Sequence, residues 1–266
     1  MSRYVLATGE EGADRLRLVE EVHGADTDRF LEKAGIRSGM RVVDIGCGVG
    51  LVTCRIARKV APRGEVVGVD ISAEQIRLAE ENARREGVDN ARFVVAPAEN
   101  TGLERESFDA AYARFLLMHV SDPSRVLAEM ASLLRHGGVL LVEDGDFTGP
   151  YCSPSSPAFD RCFELYREAV RRQGANPEIG ALLINFVRDA GFPTAHMIIV
   201  QPVLRVGPAK RLPEWTLLEA APVLIEAGLA SEPEIQAIAS EMQRLAADPS
   251  TEFGMALMTQ VWASKP

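Results

Sequence analysis

Residues 42–50 read VVDIGCGVG, a short apolar run, an aspartate and then glycines at alternate positions. The next ten, LVTCRIARKV (51–60), have helical spacing and stop before Pro62, so the whole reads as strand, glycine turn and helix. Gly46, Gly48 and Gly50 free the backbone to take unusual dihedrals and let a ligand come close to the main chain. The pattern then repeats. EVVGVD (65–70) reads as a second strand, and Ser72 with Gln75 three residues on makes a capping-box start for a helix through Arg85. ARFVV (91–95) and DAAYARF (109–115) are further strands. PSRVLAEMASLLRH is a helix opened by Pro123 and expected to stop at Gly137-Gly138, and GVLLVED (138–144) is a fifth strand.

Strands alternating with helices at this spacing imply an α/β fold, a parallel sheet wrapped by right-handed crossovers. The unbroken apolar character of VVDI, VVGV and VLLV fits strands covered on both faces. Upstream, residues 10–35 read as two short helices with polar breaks around His23 to Asp28 and a stop at Gly35. Downstream, FTGPYCSPSSP (147–157) is a Pro/Ser-rich loop before the helix AFDRCFELYREAVRRQG, and a further helix is expected in IGALLINFVRDAGF. HMIIVQPVLRV (196–206) reads as one strand, 209–248 as helical, and FGMALMTQVWASKP as a closing strand. The organisation expected is an N-terminal helical segment over the cofactor site (1–38) and a main domain (39–266). Its helical inserts near 150–185 and 209–248 would serve as a lid.

Of the 266 residues, 47% are hydrophobic and 25% charged, which suits a folded enzyme better than a disordered tail. No apolar run approaches the roughly 20 residues of a membrane span, and acids occupy the place of a secretory signal's apolar stretch. A cytoplasmic setting is expected. The four cysteines form no CxxC pair, so reduced thiols and no metal site are expected. A net charge of −9 argues against a nucleic-acid footprint and for a small-molecule partner.

In such a sheet, ligands bind beyond the carboxyl ends of the strands. Asp44, Asp70, Arg114 and Glu143 all fall there. A dinucleotide fingerprint of the GxGxxG type would want glycine where Leu51 stands, and Asp44 is badly placed for a pyrophosphate at the helix N-terminus. A carboxylate there suits a cationic ligand instead, and Asp70 can accept hydrogen bonds from both hydroxyls of a ribose.

With these motifs the chain resembles the class I S-adenosylmethionine-dependent methyltransferases, in their small-molecule branch, from about Gly39 to Phe147. SFDAAYARFLLMHVSDP (107–123) is similar to the family's fourth-strand motif, LLRHGGVLLVED (133–144) to its fifth-strand signature, and RDAGF (188–192) to the segment before the sixth strand. The resemblance implies a Rossmann-like, seven-stranded, mostly parallel sheet with helices on both faces and an antiparallel last strand. It implies S-adenosyl-L-methionine as cofactor, with Asp44, Gly46, Cys47 and Gly48 around the turn, Asp70 on the ribose and Ile71 on the adenine face. Gln75 joins that set. Ala98 and Glu99 would flank the adenine edge, and the Arg114 backbone would meet the ligand's amino group. Pro97 stands where many relatives have an acid.

For catalysis the candidates are His119, after the fourth strand, as base or acceptor-orienting group, and the acids Glu143 and Asp144 as acceptor anchors. Trp215, Phe159, Phe163 and Tyr166 are candidates for an aromatic pocket, and Tyr4 for a segment folding over the cofactor. His23, His136 and His196 read as structural. The expected reaction is methyl transfer to an oxygen, nitrogen or carbon of a small acceptor, with secondary metabolism as the setting. Apolar helices in the inserts leave room for a homodimer. Three other readings stay open: a protein or RNA methyltransferase, a nicotinamide-dependent oxidoreductase, and a non-catalytic S-adenosylmethionine-binding protein.

Overall fold

A single helix, α1 (Glu10–Lys33), opens the part of the chain that the computed structural model describes, residues 10–266. Tyr4 and the rest of 1–9 lie outside it. The two short helices expected from the sequence are one, because the polar stretch from His23 to Asp28 is satisfied by other elements. Thr27 is buried and donates to Glu143 at 2.7 Å, and Asp28 pairs with Arg55.

The repeating units follow as β1 (Arg41–Ile45), α2 (Leu51–Val60), β2 (Glu65–Asp70), α3 (Ala73–Arg85), β3 (Ala91–Val95) and β4 (Phe108–Arg114). Next come α4 (Pro123–Leu133), β5 (Leu134–Asp146), β6 (Tyr151–Ser153), α5 (Pro157–Arg172), α6 (Leu183–Asp189), β7 (His196–Val200) and β8 (Val203–Leu204). The chain ends with α7 (Leu212–Glu226), α8 (Glu232–Ala247), β9 (Glu252–Gly254) and β10 (Leu257–Ser264). Seven strands form the main sheet in the order β3-β2-β1-β4-β5-β10-β7, and β10 runs antiparallel to both its neighbours.

Side chains alternate across this sheet with period two. Val42, Val66, Ala110, Tyr112 and Leu141 pack on one face with Phe30 and Leu31 of α1 and Ile56 of α2. Val43, Ile45, Val67, Val69, Leu140 and Val142 face the other way, toward α4, α5, α7 and α8. The two cores explain the unbroken apolar strands.

Four boundaries differ from the sequence reading. Helix α4 ends at Leu133, before the glycines, because Leu134 already pairs with Phe108 across a bulge; His136 therefore lies exposed on a strand. The run 196–206 divides at Pro202, which has no N–H to continue a ladder: β7 stays in the main sheet and β8 joins β6 and β9 in a second, three-stranded one. The closing strand divides into β9, in the three-stranded sheet, and β10, in the main one. The helix expected over 179–192 is a short 3-10 turn followed by α6. At Ser72 the hydroxyl accepts from the Gln75 N–H at 3.3 Å, while Gln75 Oε1 has no partner, so half of the capping box is present. The four cysteines are unpaired and buried, and no helix among the described residues is long and apolar enough to cross a membrane.

Gly50 joins the turn to α2 with φ +77°, and a Cβ there would stand 2.8 Å from the Ala79 Cβ and 3.0 Å from the Phe93 ring. Left-handed backbone and overpacking add, so Gly50→Ala is expected to cost roughly 2–4 kcal/mol and lower Tm by roughly 5–15 °C. Thermal unfolding followed by circular dichroism checks this; an unchanged Tm would contradict the packing described.

Candidate active site

At the carboxyl ends of β1, β2 and β4 lies a cleft of about 320 Å³, bordered by Asp44, Gly46, Cys47, Gly48, Asp70, Ile71, Gln75 and Arg114. With His119, which also borders it, these are the nine sequence candidates that the fold brings together. Ala98 and Glu99 sit in the turn after β3 and do not border it.

The turn is held by its own backbone: the N–H groups of Gly46 and Cys47 both donate to Val69 O, at 2.8 and 2.9 Å. Gly48, at φ +52°, donates its N–H to Asp70 Oδ2 at 3.0 Å, and Ser72 N–H donates to Asp70 Oδ1 at 2.9 Å. Each carboxylate oxygen of Asp70 thus keeps a lone pair for a ligand. Next to it Ile71 is 74% exposed, an apolar surface at the cleft's edge. Asp44 is 2% exposed and accepts from Thr53 Oγ1 at 2.6 Å. Burial, against the Thr53 bond and the Arg114 charge, pushes its carboxyl up to about 7. Burial, with Asp44 and Asp70 nearby, drives the Cys47 thiol well up from its ordinary value, so it fills space and does not react.

The guanidinium of Arg114 reaches α1, bonding Glu20 Oε2 at 2.6 Å and Thr27 Oγ1 at 3.1 Å. After β4 the chain bends sharply. Phe115 adopts φ +51°, rare for an aromatic residue, and its N–H donates to Glu143 O at 3.0 Å. This bend sets Phe115 and His119 between the cleft and a second, inner chamber of about 100 Å³. Arg15, Leu16 and Val19 of α1 border both spaces too. The inner chamber is walled by Phe147, by Phe163 and Tyr166 of α5, and by Leu212 and Leu217 of α7. Of the aromatic candidates, Phe159 packs behind Phe163 and against Phe253, and Trp215 lies against Arg211 outside the chamber.

His119 ends the 3-10 turn Leu117–His119, and burial together with the Arg15 charge pushes its imidazole down to about 3. It is a neutral wall group at pH 7, suited to orienting an acceptor more than to removing a proton. The two acids read as acceptor anchors border neither space. Glu143 is spent on Thr27 (2.7 Å), the Tyr112 hydroxyl and Gln260 (2.7 Å). Asp144 accepts from Met118 N–H at 3.1 Å and Gly145 N–H at 3.0 Å, so it fixes the turn that carries His119. His196, by contrast, stacks on Trp262, 5.2 Å between centroids. The residue that sequence reasoning passed over is His23, which borders the inner chamber. Its signal is the series Arg15, Val19, His23, Thr27, every fourth residue along one face, visible once α1 is one helix.

The family described as "Methyltransferase domain" matches residues 36–171, half of the chain and all of the cleft's turn. The chain belongs to this methyltransferase family. Over 137 residues it is 34% identical to the ubiquinone/menaquinone biosynthesis C-methyltransferase of Hahella chejuensis, covering 51% of this chain and 53% of that protein. It spans about half the length of the curated relatives it matches. In fold it resembles the YcgJ protein of Bacillus subtilis, with a TM-score of 0.61 and 20% identity, covering 91% of this chain and 99% of that one. It also resembles the geranyl diphosphate C-methyltransferase of Streptomyces coelicolor, with a TM-score of 0.57 and 17% identity, covering 98% of this chain and 87% of that one.

A carboxyl with its pKa raised by folding holds its proton more tightly in the folded chain than in the unfolded one. Stability is then lost as pH rises from the ordinary value, 3.8 for Asp44, to about 7. Relative to Asp44→Asn, the wild type is expected to weaken across that range and stay level above it. Urea midpoints of both proteins at several pH values measure this, and a difference that ignores pH would contradict the burial assigned to Asp44.

Proposed function

We propose that the protein transfers a methyl group from S-adenosyl-L-methionine to a small, largely apolar acceptor. The observation that carries this reading is the shared wall: Arg15, Leu16, Val19, Phe115 and His119 border both a cleft lined by two carboxylates and a largely apolar chamber. Two features of the cleft fit a cationic nucleoside. Gln75, in its wall, has a buried Oε1 without a hydrogen-bond partner. At Gly48 a Cβ would meet nothing nearer than Leu16 Cδ1 at 3.9 Å, so that edge of the turn is bare backbone.

Asp70 would take the ribose hydroxyls on its free lone pairs, beside the apolar surface of Ile71. Asp44 would face the ligand's positive charge, and as that charge favours the ionised carboxylate, binding releases a proton near neutral pH. Bound there, the cofactor supplies a methyl group already activated on a sulfonium. The chain's own part is alignment and exclusion of water, which are worth up to roughly 7–11 kcal/mol in favourable cases. Phe115, Leu16 and Val19 keep the shared wall dry, and neutral His119 holds the acceptor's polar atom without needing to ionise it. Carbon as the methylated atom is supported by the names of the Hahella chejuensis and Streptomyces coelicolor proteins. The inner chamber's apolar walls support a small molecule over protein or RNA.

Calorimetric titration tests the proposal. S-adenosylmethionine and S-adenosylhomocysteine are expected to bind and NAD to give no heat, and Asp70→Ala is expected to weaken binding by at least about tenfold. Tight NAD binding with silence toward S-adenosylmethionine would refute the reading, as would unchanged affinity in a folded Asp70→Ala protein.

A further inference from the structure

His23 lies in the middle of α1, 4% exposed, with its ring edge-on to Phe115 at 5.1 Å between centroids. Its Nδ1 is buried and makes no hydrogen bond. Buried polar atoms in folded proteins nearly always find a partner, and one that does not calls for an explanation, a functional role among them. His23 borders the inner chamber and not the cleft, whereas His119 borders both. A contact to His23 is therefore a contact to whatever fills the inner chamber.

The walls restrict what that is. Phe115, Phe147, Phe163 and Tyr166 surround the space, with Phe147 and Tyr166 tilted at 48° and 4.9 Å apart, a setting that favours a flat ring. Among the described residues no carboxylate borders the chamber, and the Arg15 guanidinium at its edge is paired with Glu219 at 2.7 Å. A cationic acceptor would find no carboxylate there among the described residues. Burial, and then the Arg114 charge, push the His23 imidazole down to about 3, so it is neutral at pH 7. A neutral ring carries one bare nitrogen able to accept a hydrogen bond.

We propose that His23 is the specificity-determining residue of the inner chamber, receiving the hydroxyl or N–H of a neutral, ring-shaped and otherwise apolar methyl acceptor. The inference rests on the reading of the chamber as the acceptor site. His23 acts by positioning: it selects rings that carry a donor and fixes their rotation beside the shared wall, while the rings around it supply the affinity.

The test uses the full chain with S-adenosylhomocysteine bound and two probes of matched shape, para-cresol and para-xylene, which differ by a hydroxyl against a methyl. In wild-type protein with isotope-labelled histidine, para-cresol is expected to move the His23 ring-nitrogen resonances, assigned by their loss in His23→Gln, and para-xylene to leave them in place. His23→Phe is expected to lower the ratio of para-cresol to para-xylene affinity by at least about tenfold, with S-adenosylhomocysteine affinity kept and His23→Gln retaining most of the ratio. Shifts confined to His119, equal weakening of both probes in His23→Phe, or binding of neither probe would overturn this inference alone. Failure of S-adenosylhomocysteine to bind would overturn the functional reading and this inference with it.

Discussion

Glu143 accepts hydrogen bonds from Thr27 on α1, Tyr112 on β4 and Gln260 on β10, all in the buried interior. Arg114, at the end of β4, reaches the same helix through Thr27 and Glu20. Glu20 in turn holds Arg55 of α2 at 2.7 Å. This network fixes α1 across the strand ends, and almost everything about the site depends on it. With one partner removed, a buried charge left uncompensated costs roughly 3–5 kcal/mol. From this helix Arg15, Leu16 and Val19 reach both cavities and His23 the inner chamber. Without α1 in place the cleft would lose a wall and the inner chamber would open to water.

The same network sorts the charges. The arginines beside the cleft have their own acids, Arg114 with Glu20 and Arg15 with Glu219. The carboxylates of Asp44 and Asp70 have only neutral donors, a threonine hydroxyl and backbone N–H groups. Burial holds both carboxyls above their ordinary range, so a cation brought beside them would favour their ionised forms. Beyond the shared wall the chamber holds two imidazoles kept neutral by burial. This division matches the proposed transfer, with a cationic donor on one side and a neutral acceptor on the other.

Much of this was legible in the chain because its signals are local. The turn at 46–50, the aspartates at the ends of β1 and β2, and the alternation of strand and helix each depend on residues within a few positions of one another. The continuity of α1 was not legible, since HGADTD (23–28) looks like a break until Arg55 and Glu143, distant in sequence, satisfy it. His23 was missed for that reason. Glu143 and Asp144 misled in the opposite sense: a strand end is where binding acids stand, but Tyr112, Gln260 and Met118 turn these two inward. Likewise the turn at Ala98 and Glu99 falls beside the cleft in sequence order yet borders no part of it, while Gln75 does.

The central claim is that one ligand spans from Asp70 to the wall shared with the inner chamber. A crystal structure with S-adenosylhomocysteine tests it most directly. The account predicts ribose hydroxyls within hydrogen-bond reach of Asp70 and the sulfur at the wall formed by Phe115 and His119, facing the chamber. A ligand whose sulfur points to solvent, or one seated away from Asp44 and Asp70, would contradict it.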